Sequence, residues 1–289
     1  MNSNCFASFY EFARVTQAER VKRVILAKCV EKQILGTVIL SQEGINGSLV
    51  GNPESLDYLL KSLTDEHGFR HLLVNRSEIT TSPFDRLVVR IKGEIVTSGF
   101  ENLVSSDSNY IEPEHWDHFI RKDDVITVDV RNFYEHSIGS FTNSIRPKIR
   151  RFRQFPDFVQ QKLIGKKDKK IAIFCTGGIR CEKASELLAS FGFQKIFQLR
   201  GGILNYFKNR DKTKIGLWRG DCFVFDKRLA IDSNFRTLNY EQCPKCKQMV
   251  SKKNQPVDEI EWAPCPDCNT QDRSVDKNVL AEGIKCRVE

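Results

Sequence analysis

The hydrophobic positions of the first hundred residues change period several times. Phe6–Phe12 is rich in aromatics and reads as a strand. Thr16 then stands where an N-cap belongs, with Glu19 as its capping-box partner, and Val21, Val24, Ile25 and Cys29 follow at helical spacing. Gly36–Ser41 is a β-branched run. Gln42-Glu-Gly-Ile-Asn-Gly47 follows it and precedes Ser48–Val50, which predicts a tight hairpin or a bulged connection. Pro53 opens a second helix through Leu56, Leu59, Leu60 and Leu63, and Arg86–Lys92 alternates as the closing strand. The order β-α-β-β-α-β predicts a ferredoxin-like α+β domain over residues 1–98.

Residues 99–123 turn polar and predict a linker, with one short helix at Pro113–Arg121. Val125–Val130, Lys170–Phe174 and Ile196–Leu199 are near-continuous apolar runs, of the kind that suits strands buried on both faces. Helical stretches at Phe155–Leu163 and Cys181–Phe191 alternate with them. An α/β domain with a parallel sheet is therefore expected over residues 124–215. In such sheets ligands lie beyond the carboxyl ends of the strands, and Cys175 stands at one such end. Residues 216–289 form a small Cys-rich C-terminal region. Trp218–Phe225 looks extended, and beyond Tyr240 short Pro- and Cys-containing turns dominate.

Composition narrows the class. A chain of 289 residues suffices for two or three compact units, and 40% hydrophobic with 28% charged residues excludes wholesale disorder. No apolar run approaches the roughly 18–20 residues of a membrane span. Met1–Tyr10 lacks a basic segment followed by an apolar one, which argues against a signal peptide. The ten cysteines then read as metal ligands and reactive thiols rather than disulfides, and a cytoplasmic location is expected. The net charge of +8 is concentrated in residues 101–210, with 19 basic against 13 acidic residues. Arg146, Lys148, Arg150, Arg151 and Arg153 cluster there, and guanidinium forks suit bidentate contact with a nucleic-acid backbone. Lys166, Lys167, Lys169 and Lys170 read equally well as a solvated surface.

The chemistry concentrates in Cys175-Thr176-Gly177-Gly178-Ile179-Arg180. A loop between a buried strand and a helix gathers backbone N–H groups at the positive end of the helix dipole, which makes an anion-binding concavity. The two glycines permit the curl, and Arg180 adds permanent charge. A cysteine at its mouth should be a stabilised thiolate, hence a nucleophile. Cys181 is either a resolving thiol for Cys175 or simply a small first-turn residue.

This loop, with Asp129-Val-Arg131 before it and Leu199-Arg-Gly-Gly202 after it, resembles the rhodanese fold. Related phosphatases carry one more residue between Cys and Arg, which argues against phosphatase activity here. Phe174–Ala184, Gln42–Gly47, Val128–Asn132 and Cys222-Phe-Val-Phe-Asp226 together resemble the rhodanese-containing tRNA uridine hydroxylases, from roughly residue 5 to 230. The resemblance implies an oxidoreductase acting on tRNA, with oxygen-dependent conversion of wobble uridine to 5-hydroxyuridine in the anticodon loop. It places the essential cysteine at Cys175. O2 would be the co-substrate with an unknown electron donor, and no facial triad or haem motif announces an oxygenase. A rhodanese-type sulfurtransferase carrying a cysteine persulfide is the alternative. A non-catalytic RNA- or protein-binding module is the third reading.

In the tail, Cys243-Pro-Lys-Cys246 and Cys265-Pro-Asp-Cys268 stand 18 residues apart, a spacing that fits a tetrahedral zinc ribbon.

Overall fold

The computed structural model describes residues 4–99 and 109–252. The first domain contains β1 (Asn4–Phe12), α1 (Ala18–Glu31), β2 (Leu35–Ser41), β3 (Gly44–Gly51), α2 (Pro53–His67), β4 (Leu73–Ile79) and β5 (Leu87–Ile91). The sheet order is β4-β1-β3-β2-β5. The first four strands make the expected ferredoxin-like antiparallel sheet. The strand that closes it is Leu73–Ile79, however, and not Arg86–Lys92. The latter is a fifth strand, added parallel to β2 at the far edge. α1 starts from Gln17 with no side-chain cap, so the box expected of Thr16 and Glu19 does not form. α2 has its N-cap in Asn52, whose side chain accepts the Glu54 N–H at 2.9 Å.

β1 is buried along almost its whole length because both of its faces are covered. Cys5, Ala7 and Phe9 enter the core with α1 and α2, alongside Ile25, Leu40, Leu49 and Leu59. Phe6 and Tyr10, on the alternate face, meet the rest of the chain: Arg228 lies over the Phe6 ring and Tyr10 bonds Glu182.

The second domain opens with β6 (Asn109–Ile111) and α3 (Pro113–Ile120). β6 pairs parallel with a later strand, so this part of the expected 99–123 linker belongs to the sheet. Then follow β7 (Val125–Asp129), α4 (Phe133–His136), β8 (Gly139–Phe141), α5 (Phe155–Phe158), β9 (Lys170–Phe174), α6 (Ile179–Ser190), β10 (Ile196–Leu199) and α7 (Gly202–Asn209). The helix expected over Phe155–Leu163 is α-helical only at its start and continues as a π turn. The parallel sheet runs β6-β10-β9-β7. In β9, Ile171 and Ile173 face the core under α6, while Ala172 and Phe174 face the one under α3 and α7. Burial on both faces is what its unbroken apolar run required.

β11 (Trp218–Gly220) pairs with β8, and β12 (Cys222–Phe223) pairs with β13 (Ala230–Ile231). Cys222, Val224 and Ile231 share the core of Trp116, Phe141 and Tyr206. The start of the C-terminal region thus packs into the second domain. β14 (Tyr240–Gln242) and β15 (Met249–Ser251) form a hairpin. No helix among the described residues is long and apolar enough to cross a membrane.

Candidate active site

The loop from Cys175 to Arg180 leaves the carboxyl end of β9 and enters α6, whose first residue is Ile179. Gly178 is the N-cap at φ 100°, a conformation that side chains rarely adopt. A Cβ there would also fall 2.7 Å from the Tyr10 hydroxyl. Behind the loop, the N–H groups of Ile203 and Leu204 donate to the carbonyls of Cys175 and Thr176, at 3.0 and 3.1 Å. A Cβ on Gly202 would lie 2.5 Å from the Cys175 carbonyl oxygen. The first turn of α7 is therefore bonded to the back of the loop, which explains the Gly-Gly pair that follows β10.

Cys175 is fully buried. Its Sγ accepts hydrogen bonds from the Gly178 N–H, at 3.1 Å, and from the Cys181 thiol. Burial alone would push the Cys175 thiol up. The Cys181 bond, the Arg180 charge and the N–H groups of Arg180 and Gly178 outweigh it and bring the pKa down to about 6. Cys181 moves the other way: burial, then the bond it donates and the Cys175 charge, push its thiol well above the ordinary value. At neutral pH the pair shares one proton, held on Cys181. The Thr176 hydroxyl beside them is buried without a hydrogen-bond partner.

Arg180 is gripped by Glu135 of α4 in a two-pronged pair at 2.6 and 2.7 Å, with both side chains buried. Glu135 also accepts the Asn132 N–H at 3.0 Å. The ring of Phe225 lies over the guanidinium at 5.4 Å and is 60% exposed. It packs edge-on against Phe223, which packs against Tyr134. Asp129 and Arg131 form a second, fully buried pair at 2.6 Å. Ser140 donates to Asp129 and Arg131 to the Gly139 carbonyl, which ties the end of β7 to β8.

The first domain braces the helix that follows the loop. Tyr10 and Tyr110 both donate to Glu182 Oε1, at 3.0 and 2.9 Å, and Gln198 donates to Oε2 at 3.1 Å. Burial and then the Glu182 charge push the Tyr10 phenol well up, so it remains a donor. Lys183, 1% exposed, lies between Glu43 at 3.0 Å and Glu94 at 2.6 Å. Burial would raise the Glu94 carboxyl, but Lys183 and Ser98 hold it below its ordinary value. Glu43 is the turn residue of the Gln42–Gly47 hairpin, and Asn46 of that hairpin donates to the Ile95 carbonyl at 3.0 Å. None of Tyr10, Glu43, Glu94, Glu135, Glu182 or Phe225 was singled out as a site residue from sequence. A buried Arg180 demands a carboxylate, but the sequence does not say which one.

Arg146, Lys148, Arg150, Arg151 and Arg153 are all exposed, alternating with buried Pro147, Ile149 and Phe152. None has an acidic partner among the described residues. Their segment runs beside α4: the Phe133 N–H donates to the Ile149 carbonyl at 2.8 Å, and His136 contacts the Pro147 carbonyl. The lysine run sits at the amino end of β9, opposite to the loop, and Lys170 pairs there with Asp124. Cys243 and Cys246 flank the turn of the β14–β15 hairpin. Cys265 and Cys268 lie outside the described residues. Among the described residues, no three His, Cys, Asp or Glu side chains converge as metal ligands.

Residues 5–95 match the family model described as UPF0176 acylphosphatase like domain. Residues 113–209 match that of the rhodanese-like domain. The tRNA uridine(34) hydroxylases of Legionella pneumophila strains Corby and Paris are each 42% identical over 247 residues, which is 85% of this chain and 96% of theirs. Among solved structures, the rhodanese-like domain of an Anabaena protein is similar at 18% identity, over 39% of this chain and 80% of that one, with a TM-score of 0.33.

Proposed function

The chain belongs to the tRNA uridine(34) hydroxylase family and is an oxidoreductase that modifies tRNA, and from that premise we propose that Cys175 is its nucleophile. The observation that carries this reading is a buried cysteine held as a thiolate by Cys181, Arg180 and two backbone N–H groups. The thiolate adds to C6 of the wobble uracil, and the C5–C6 electron pair moves to C5 and the O4 carbonyl. The C5 carbanion takes up O2, the co-substrate, as a hydroperoxide, whose O–O bond a two-electron thiol reductant then breaks to leave a C5 hydroxyl and one water. Loss of the C5 proton then breaks the S–C6 bond, restores the double bond and leaves 5-hydroxyuridine. An anticodon-loop uridine is unpaired, so no duplex need be opened. The exposed face of Phe225, beside Arg180, offers it a stacking surface. A persulfide-carrying sulfurtransferase would use the same loop, and the 42% identity with tRNA uridine(34) hydroxylases over 85% of this chain favours the hydroxylase reading. The test compares tRNA nucleosides from cells lacking the protein with those from complemented cells. Unchanged wobble-uridine hydroxylation would refute the reading, and full rescue by Cys175→Ala would refute the role of the cysteine.

The exposed basic segment supplies the phosphate contacts. Its backbone is bonded to α4, the helix that also carries Glu135, which sets it near the loop. Exchanging Arg150, Arg151 and Arg153 for alanine together should weaken tRNA binding and lower the magnitude of the salt slope by about 2, at ~0.7 per single-strand contact. An unchanged slope would make the cluster mere surface.

The two Cys-x-x-Cys pairs, Cys243/Cys246 and Cys265/Cys268, hold a structural zinc ion, on the strength of their spacing and of the hairpin turn that carries the first pair. About one zinc per chain is expected on metal analysis of the purified protein, falling in a Cys243→Ser variant. A metal-free preparation with full stability counts against it. A cytoplasmic enzyme with reduced thiols is consistent with all these roles.

A further inference from the structure

Hydroxylation by O2 leaves two electrons to be found, because the oxygen molecule takes up four and the C5–H bond yields two. We propose that Cys175 and Cys181 supply the other two, closing to a disulfide once in every turnover; this rests on the reading of the site as a uridine hydroxylase. The Cys181 thiol neighbours Cys175 Sγ and, as a donor to it, favours the thiolate. Both side chains are buried in one core. The backbone holds them together: the Cys181 N–H donates to the Gly178 carbonyl at 2.9 Å, and the Gly178 N–H donates to Cys175 Sγ. A disulfide requires the sulfurs to approach to about 2.05 Å. Cys222, the other buried cysteine near Arg180, has its thiol directed at the Phe223 carbonyl instead.

The balance closes. The C5–H bond, the O–O bond and the Cys181 S–H bond break, and one further proton comes from water. The C5–O, S–S and product O–H bonds form, together with the two O–H bonds of one water. One oxygen atom stays in 5-hydroxyuridine and the other leaves as that water. The Cys181 thiol takes the outer oxygen of the C5 hydroperoxide, which breaks the O–O bond, leaves the C5 hydroxyl and makes Cys181 a sulfenic acid; elimination of the product then frees Cys175, whose thiolate displaces that oxygen as water and closes the disulfide. The thiolate and protonated-thiol states of the pair suit it, since the first is nucleophilic toward an oxidised sulfur and the second delivers a proton. A soluble thiol or dithiol reductant must then reopen the disulfide by exchange.

The test uses the full chain, reduced and freed of reductant without oxygen, then mixed with unmodified tRNA and aerated. The expected result is a plateau at one 5-hydroxyuridine per chain, the loss of two titratable thiols for each, and a Cys175–Cys181 cross-linked peptide by mass spectrometry. Added dithiothreitol should restore continuous turnover. Cys181→Ala and Cys181→Ser should form no such cross-link and lose the single turnover. Product accumulating beyond one per chain without reductant would overturn the proposal, as would product formed with both thiols still free. Absence of product even with dithiothreitol would overturn the hydroxylase reading itself.

Discussion

A Cys175→Ser protein is expected to lose 5-hydroxyuridine formation by on the order of 10⁴-fold or more, the scale on which removal of a covalent nucleophile acts. Serine keeps the shape but not the acidity, so none of the donors around Sγ can make it an anion near neutral pH. The same geometry predicts a pH profile. The thiolate fraction, and with it the rate at limiting tRNA, should rise with pH through about 6. The folded value lies below the ordinary 9.0, so folding is favoured by the thiolate. That contribution is fully present above about pH 9, and it fades as pH falls toward 6. Ultraviolet thiolate absorbance, taken as wild type minus Cys175→Ser, reads the titration directly. A midpoint near the ordinary thiol value would contradict the account of the loop.

Glu135→Ala should cost about 3–5 kcal/mol of folding stability, because it strands a buried guanidinium that has lost its counterion. The loss is also functional: Arg180 is the second largest of the influences that hold Cys175 as a thiolate, and its position depends on the Glu135 fork. Glu135→Gln, which keeps an acceptor, should lose less of both. Denaturant unfolding of the three proteins checks the order. Equal stability of Glu135→Ala and wild type would mean that Arg180 finds another partner.

The Cys175–Arg180 loop was legible because its signal is local. A buried strand, a cysteine, two glycines and an arginine stand within a dozen residues, and chain geometry alone converts them into a strand-to-helix anion cradle. The alternation of strands and helices was legible for the same reason. β4 was missed because Leu-Val-Asn-Arg-Ser-Glu-Ile lies at a sheet edge, where neither face is fully covered and no apolar alternation survives. The Thr16 box failed because capping depends on local dihedrals that residue spacing does not report. Glu135 lies 45 residues from Arg180, and Tyr10 lies 172 from Glu182. No periodicity within a segment encodes pairings of that range. The first arises when α4 packs against the start of α6, the second when β1 turns its second face toward α6.

The ammonium of Lys183 has a consequence for how the two domains can be separated. It sits in the second domain, next to the residues that follow the catalytic loop, yet both its counterions, Glu43 and Glu94, come from the first. A second domain separated from the first would lose both ion pairs and present this ammonium to water. A graft of this second domain onto a foreign partner that covers Lys183 again must carry a matching acid or replace the lysine.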